Sequence, residues 1–261
     1  MKLYFYIASL FVFLFLSCEK ELDFKYHDVE PQLVIEGVLN QEGVKVTLTN
    51  TTPMDDKIQP NYLTDGEVTL IDETTSDEIT LNPDKDGVFF SNYKGTPGHE
   101  YRLDVKRDGK IYTSRCMLRK ATEILDLKFE WIKMPYDYVA VLQISFRDLE
   151  NRDDCYWIKI YRNGEPYKWI MSDDRSAVNG VITEVTMTTR KDLEEENEKD
   201  ILRDGDEVTV IVNAISREMY DYLIALENDS NGRAMFEGDF CLGYFMASDS
   251  ASSSIIFHPD E

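Results

Sequence analysis

Tyr101-Arg102-Leu103-Asp104-Val105-Lys106-Arg107-Asp108-Gly109-Lys110-Ile111-Tyr112-Thr113 decides the fold. Tyr101, Leu103 and Val105 alternate with Arg102, Asp104 and Lys106, so an extended chain there has one apolar and one charged face. Asp108-Gly109 sits between two such runs. A two-residue hairpin turn needs positive φ at both central residues, which Asp and Gly tolerate. The stretch therefore predicts an antiparallel hairpin with one buried face. Toward the N-terminus the same period recurs. Val44, Val46 and Leu48 alternate with Lys45, Thr47 and Thr49, and Leu33 to Leu39 is a mostly buried strand. Val68 and Leu70, then Ile79 and Leu81, repeat it. Short strands at this spacing predict an immunoglobulin-like β-sandwich of about seven strands over residues 29–120.

Toward the C-terminus a second block covers residues 121–261. Leu125, Leu127, Phe129 and Trp131 point one way, and Val139 to Phe146 forms another strand. Tyr156 to Tyr161 runs into Asn163-Gly164, a second hairpin signal. Val181 to Thr189 and Val208 to Ala214 are further strands, with closing strands at Asp239–Met246 and Ser253–Phe257. Residues 191–207 are acidic and aperiodic, which predicts a mobile excursion. One helix is expected over 217–227, capped by Ser216. Its stripe of Met219, Tyr220, Leu223 and Leu226 reads as core packing. The expected fold is mainly β, with two β-sandwich-like domains, the first immunoglobulin-like and the second carrying one packed helix.

The N-terminus sets the compartment. Lys2 precedes an apolar run from Leu3 to Leu16, too short for a bilayer span, which needs roughly 20 residues, and of the length of a signal-peptide core. Ser17-Cys18 follows. A small residue and a Cys at that place resemble a bacterial lipobox, which implies a signal peptide over 1–17 and a lipidated tether over 18–28. An ordinary signal peptide with a chance Cys is the weaker alternative. Glu19-Lys20-Glu21-Leu22-Asp23 resembles the surface-export signal of Bacteroidota lipoproteins, implying an outer-membrane anchor exposed on the cell surface. A merely charged tether, facing the periplasm or the exterior, is the plainer reading.

The formal charge is −22, from 50 acidic and 28 basic residues. That argues against a nucleic-acid partner, which requires a basic face. Cys116, Cys155 and Cys241 are too widely spaced for a zinc site. One disulfide with one thiol, or three thiols, both fit. The histidines are His27, His99 and His258 only, so no His-Glu-x-x-His exists. No glycine pair has the spacing of a nucleophile elbow or a dinucleotide fingerprint. Neither an enzyme nor a cofactor is expected.

Asn82, Asp84 and Asp86 stand at alternate positions before Gly87, the spacing of calcium loops. Tyr93 occupies the place of the closing Glu, and a solvated turn is the favoured reading. Aromatic residues crowd the start of the second block. Trp131 and one of Tyr156 or Trp157 are assigned to the core. Tyr136, Tyr138 and Trp169 are assigned to ligand contact, since rings bury large area with few rotors.

Several segments together resemble domain-of-unknown-function family 4249. They are Cys18 to Phe24, Pro31 to Gly37, Gly66 to Leu70 and Pro97 to Tyr101 in the first half. The second half adds Gly205 to Val210, Ile215 to Leu223 with its Tyr220-Asp221-Tyr222-Leu223, and Leu242-Gly243-Tyr244-Phe245. Asp239-Phe240-Cys241 stands where that family has glycines. The resemblance implies an envelope lipoprotein, often associated with TonB-dependent transporters. It implies no reaction and no ligand. The expectation is a non-catalytic accessory or binding lipoprotein beside such a transporter, its small-molecule or peptide ligand unspecified. The alternative is a structural or adhesive surface protein.

Overall fold

The computed structural model describes residues 30–52, 61–135, 138–149, 153–190, 201–230 and 232–259. Cys18, Tyr136 and residues 191–200 of the acidic excursion lie outside them. Seven strands come first: β1 (Leu33–Asn40), β2 (Gly43–Asn50), β3 (Glu67–Asp72), β4 (Asp77–Pro83), β5 (Phe89–Ser91), β6 (Glu100–Arg107) and β7 (Lys110–Met117). The alternation sends Ile35, Leu39, Val46, Leu70, Leu103 and Val105 into one core, all fully buried. The β6–β7 turn has φ of 51° at Asp108 and 75° at Gly109, the conformation the Asp-Gly pair predicts. Layers β1–β2–β5 and β4–β3–β6–β7 belong to one sheet because β4 pairs with β5 at a corner. They face each other closely: a Cβ on Gly37 of β1 would stand 2.8 Å from Leu103 Cδ2 of β6.

The next strands are β8 (Ile124–Lys133), β9 (Tyr138–Arg147), β10 (Cys155–Arg162), β11 (Glu165–Asp173), β12 (Val181–Arg190) and β13 (Glu207–Ile215). Helix α1 (Arg217–Glu227) follows, then β14 (Glu237–Gly238), β15 (Leu242–Ala247) and β16 (Ser250–Ile256). A three-stranded sheet, β12–β9–β8, and a four-stranded sheet, β11–β10–β13–β16, enclose the second core. Leu142 and Phe146 of β9 meet Tyr156, Ile158 and Ile160 of β10 and Val210 of β13 there. The Tyr156 hydroxyl, buried with its ring, donates to Asp148 Oδ1 at 2.7 Å and accepts from the Leu149 N–H at 2.7 Å. Its polar tip is thereby satisfied. Asn163-Gly164 makes the β10–β11 turn with φ of 50° and 84°.

The fold is mainly β with sandwich-type layering, as the alternation predicts. The path of the last strands adds something that no period of two encodes. β15 runs parallel to β1, and β14 pairs with β7, so both complete the first sheet. β16 then pairs with β13 in the second. Residues 237–247 thus lie with the first unit, although they fall inside the block 121–261 expected to form the second domain. The cause is hydrogen-bonding partnership: β1 has a free edge after pairing with β2, and β15 fills it. Past β15 the Arg119 N–H donates to Ala247 O at 3.1 Å and the Asp249 N–H to Arg119 O at 2.9 Å, which draws the two ends of the first sheet together.

Helix α1 wedges between the units. Ser216 Oγ accepts from the Met219 N–H at 3.2 Å, the capping bond expected. Met219, Tyr222 and Leu223 are buried with Cys155 of β10, Ile215 of β13 and Met246 of β15. No helix among the described residues is long and apolar enough to cross a membrane.

Candidate functional site: an aromatic cleft at the junction

β10 uses both of its faces. Tyr156, Ile158 and Ile160 enter the sandwich core, which leaves Trp157 and Lys159 on the opposite face, toward α1 and the first unit. The β10–β11 register sets Trp169 beside Lys159. From the first unit, the β1–β15 register sets Tyr244 beside Glu36. Leu223 and Leu226 of α1 add an aliphatic wall. Together these groups line a cleft of about 410 Å³, a size suited to a small organic molecule.

The rings form a chain of edge contacts. Trp157 stands 6.2 Å from Trp169 at 74° and 6.2 Å from Tyr244 at 86°, and Tyr222 is 6.2 Å from Tyr244. Such T-shaped pairs hold one another without stacking. Trp169 remains 38% exposed, so its surface is open to a ligand. Lys159 Nζ lies 4.8 Å from the Trp157 ring centroid, a cation–π distance. Burial alone holds the Lys159 ammonium below its ordinary pKa. Lys168 also lines the cleft, and its Nζ donates to Met187 O at 2.6 Å. Burial raises the Tyr244 hydroxyl, and the nearby Glu36 charge adds to the shift. The Trp157 Nε1–H is buried and has no hydrogen-bond partner, a cost of roughly 1–3 kcal/mol carried at this site.

Of the residues assigned to ligand contact from sequence, Trp169 lies in the cleft. Tyr138 opens β9 in the three-stranded sheet, is exposed, and does not line it. Trp157, Lys159 and Tyr244 were not singled out as ligand contacts. Their signal was the outward-facing alternation opposite Tyr156, Ile158 and Ile160, which marks β10 as covered on both faces. At the candidate calcium loop Asp84 Oδ1 accepts from the Asp86 and Val88 N–H groups, each at 2.9 Å, the bonds of a turn.

A second cavity, of about 430 Å³, lies between β7, β14 and the start of α1. Its Arg115 is held by Glu237 at 3.2 Å and Glu73 at 3.4 Å. Cys116, Cys155 and Cys241 are free thiols. Burial pushes Cys155 and Cys241 up to about 12 and raises Cys116 as well, so none has thiolate character. His99 is held by Asp72 and His258 by Asp204, each at 2.8 Å, and neither lines the cleft.

Fold and site together define a two-unit β protein with a ring-lined cleft at its joint. The model of the family described as "Domain of unknown function (DUF4249)" matches residues 19–253, and the chain belongs to that family. Among curated proteins none gives a significant match. Among solved structures, a two fibronectin type-III domain segment from chicken tenascin is 11% identical. It covers 87% of this chain and 100% of its own, with a TM-score of 0.27. A structure of manganese lipoxygenase of Gaeumannomyces graminis with part of zonadhesin of Komagataella pastoris is also 11% identical. It covers 86% of this chain and 96% of its own, with a TM-score of 0.16.

Proposed function

We propose that this chain is an outer-membrane lipoprotein, anchored through Cys18 and facing outward, that works by binding rather than catalysis beside a TonB-dependent transporter. The observation that carries the binding half is the cleft: rings from β10, β11 and β15, aliphatic groups from α1, and an open hollow of about 410 Å³ at the joint of two units. Its walls offer contact area and charge rather than a paired nucleophile and base. The anchor half rests on Leu3 to Leu16 followed by Ser17-Cys18, and the transporter half on the resemblance in sequence.

The experiment is palmitate labelling in native cells, followed by native pull-down from solubilised envelope. Labelling of the wild type, its loss in Cys18→Ala, and a transporter among the captured proteins are expected. An unlabelled cytosolic product would remove the anchor, and capture without a transporter would remove the partner. Two sandwich-type units joined through a helix also favour a second reading, a structural or adhesive surface protein. That reading expects adhesion unaffected by Trp169→Ala.

A further inference from the structure

We propose that the cleft takes a small organic carboxylate with a flat apolar face, its ring against Trp169 and its carboxylate on Lys159. The inference rests on the binding reading above and adds the ligand's chemistry. Acidic residues outnumber basic ones 50 to 28, so carboxylates are plentiful partners for a half-buried cation here. Arg102, Arg107, Arg119 and Arg162 each sit on one, at 2.7 to 3.0 Å. Lys159 forms no such pair among the described residues, and its Nζ lies instead 4.8 Å from the Trp157 ring centroid. Its lowered pKa has burial as the only cause, which agrees with the lack of a carboxylate paired to it. A desolvated ammonium without a counter-ion is costly, and an arriving anion recovers that cost. Glu36, on the β1 wall, repels an anion there and so favours one orientation.

The remaining contacts select the ligand's body. Trp157, Trp169 and Tyr244 present rings, and Leu223 and Leu226 present aliphatic surface, which suits a planar apolar face. An aromatic acid and a uronic acid sugar share this chemistry.

The test is isothermal titration calorimetry on the mature lipoprotein in detergent micelles at low ionic strength. Indole-3-acetate, benzoate and galacturonate are each paired with a neutral counterpart: indole-3-ethanol, benzyl alcohol and galactose. At least one acid should bind about ten-fold or more tightly than its counterpart, the worth of one charge-assisted hydrogen bond. Lys159→Met, which keeps the alkyl stem over Trp157, should abolish that preference. Trp169→Ala should weaken both members of the pair. The proposal is overturned if no acid outbinds its counterpart, or if Lys159→Met retains the preference. The paired ligands decide the charge question in the wild type even if a variant folds poorly. Pull-down with Lys159→Met reads the transporter partnership separately, since a surviving transporter signal leaves that reading intact whatever the titrations show.

Discussion

At the scale of single residues, Asp72 does the most for its neighbourhood. Its side chain is 1% exposed, yet it is fully partnered. Oδ1 accepts from the N–H groups of Thr74 at 2.9 Å and Thr75 at 3.1 Å, closing the β3–β4 turn. Oδ2 accepts from the Tyr93 hydroxyl at 3.2 Å and meets His99 Nδ1 at 2.8 Å. Burial alone would raise its pKa, but the bonds from His99 and the two backbone N–H groups outweigh burial and hold it at about 2. A carboxyl depressed in the folded state stabilises the fold above its unfolded pKa of 3.8 and stops doing so as pH falls through about 2. Stability should therefore drop by roughly 2 kcal/mol from this group between pH 5 and pH 1. Urea unfolding of the wild type and Asp72→Asn across that range checks it, because the variant should lack this part of the loss. Asp72 is silent in the sequence because His99 and Tyr93 lie 27 and 21 residues away. The Asp84 turn is readable because its partners are two and four residues on.

At the scale of elements, β15 depends on Gly243. The residue has φ of 100°, and a Cβ there would stand 2.0 Å from Ile35 O. Only glycine combines that backbone conformation with so close an approach to β1. The Leu242-Gly243-Tyr244-Phe245 segment is thus a docking strand: Gly243 seats it, Phe245 enters the first core, and Tyr244 reaches the cleft. Gly243→Ala should cost at least about 2 kcal/mol through strain and displacement. A lowered denaturation midpoint with Trp157 fluorescence altered by the shift of Tyr244 would be the readout. The two hairpins, the helix and its cap were legible because turn chemistry and periodicity are local. The partner of β15 was not, since alternation says which face is buried and nothing about which edge is met. For the same reason Trp169 was legible as a candidate contact ring, while the cleft was not, its walls coming from five separate elements.

At the scale of the whole molecule, the chain crosses between its two units three times. It passes over after β7, returns through α1 into β14 and β15, and crosses again into β16. The first sheet is incomplete without the second of these passages and the four-stranded sheet without the third, so the units should melt together. Calorimetry of residues 31–261 should give a single transition, and a chain ending at Asn228 should lose protease resistance over residues 31–120 as well, although it contains β1 to β7. A stable N-terminal fragment from that truncation would show that β15 is dispensable to the first core.

The return of β15 also bears on how the protein comes to be made. Synthesis delivers a polypeptide N-terminus first, whereas the strands that seal both sheets are among the last to emerge. Until then β1 and β13 each wait with an open edge, the condition in which strands find wrong partners. Maturation is therefore set by arrival of the tail, and the interval before it is when a chaperone has most to protect.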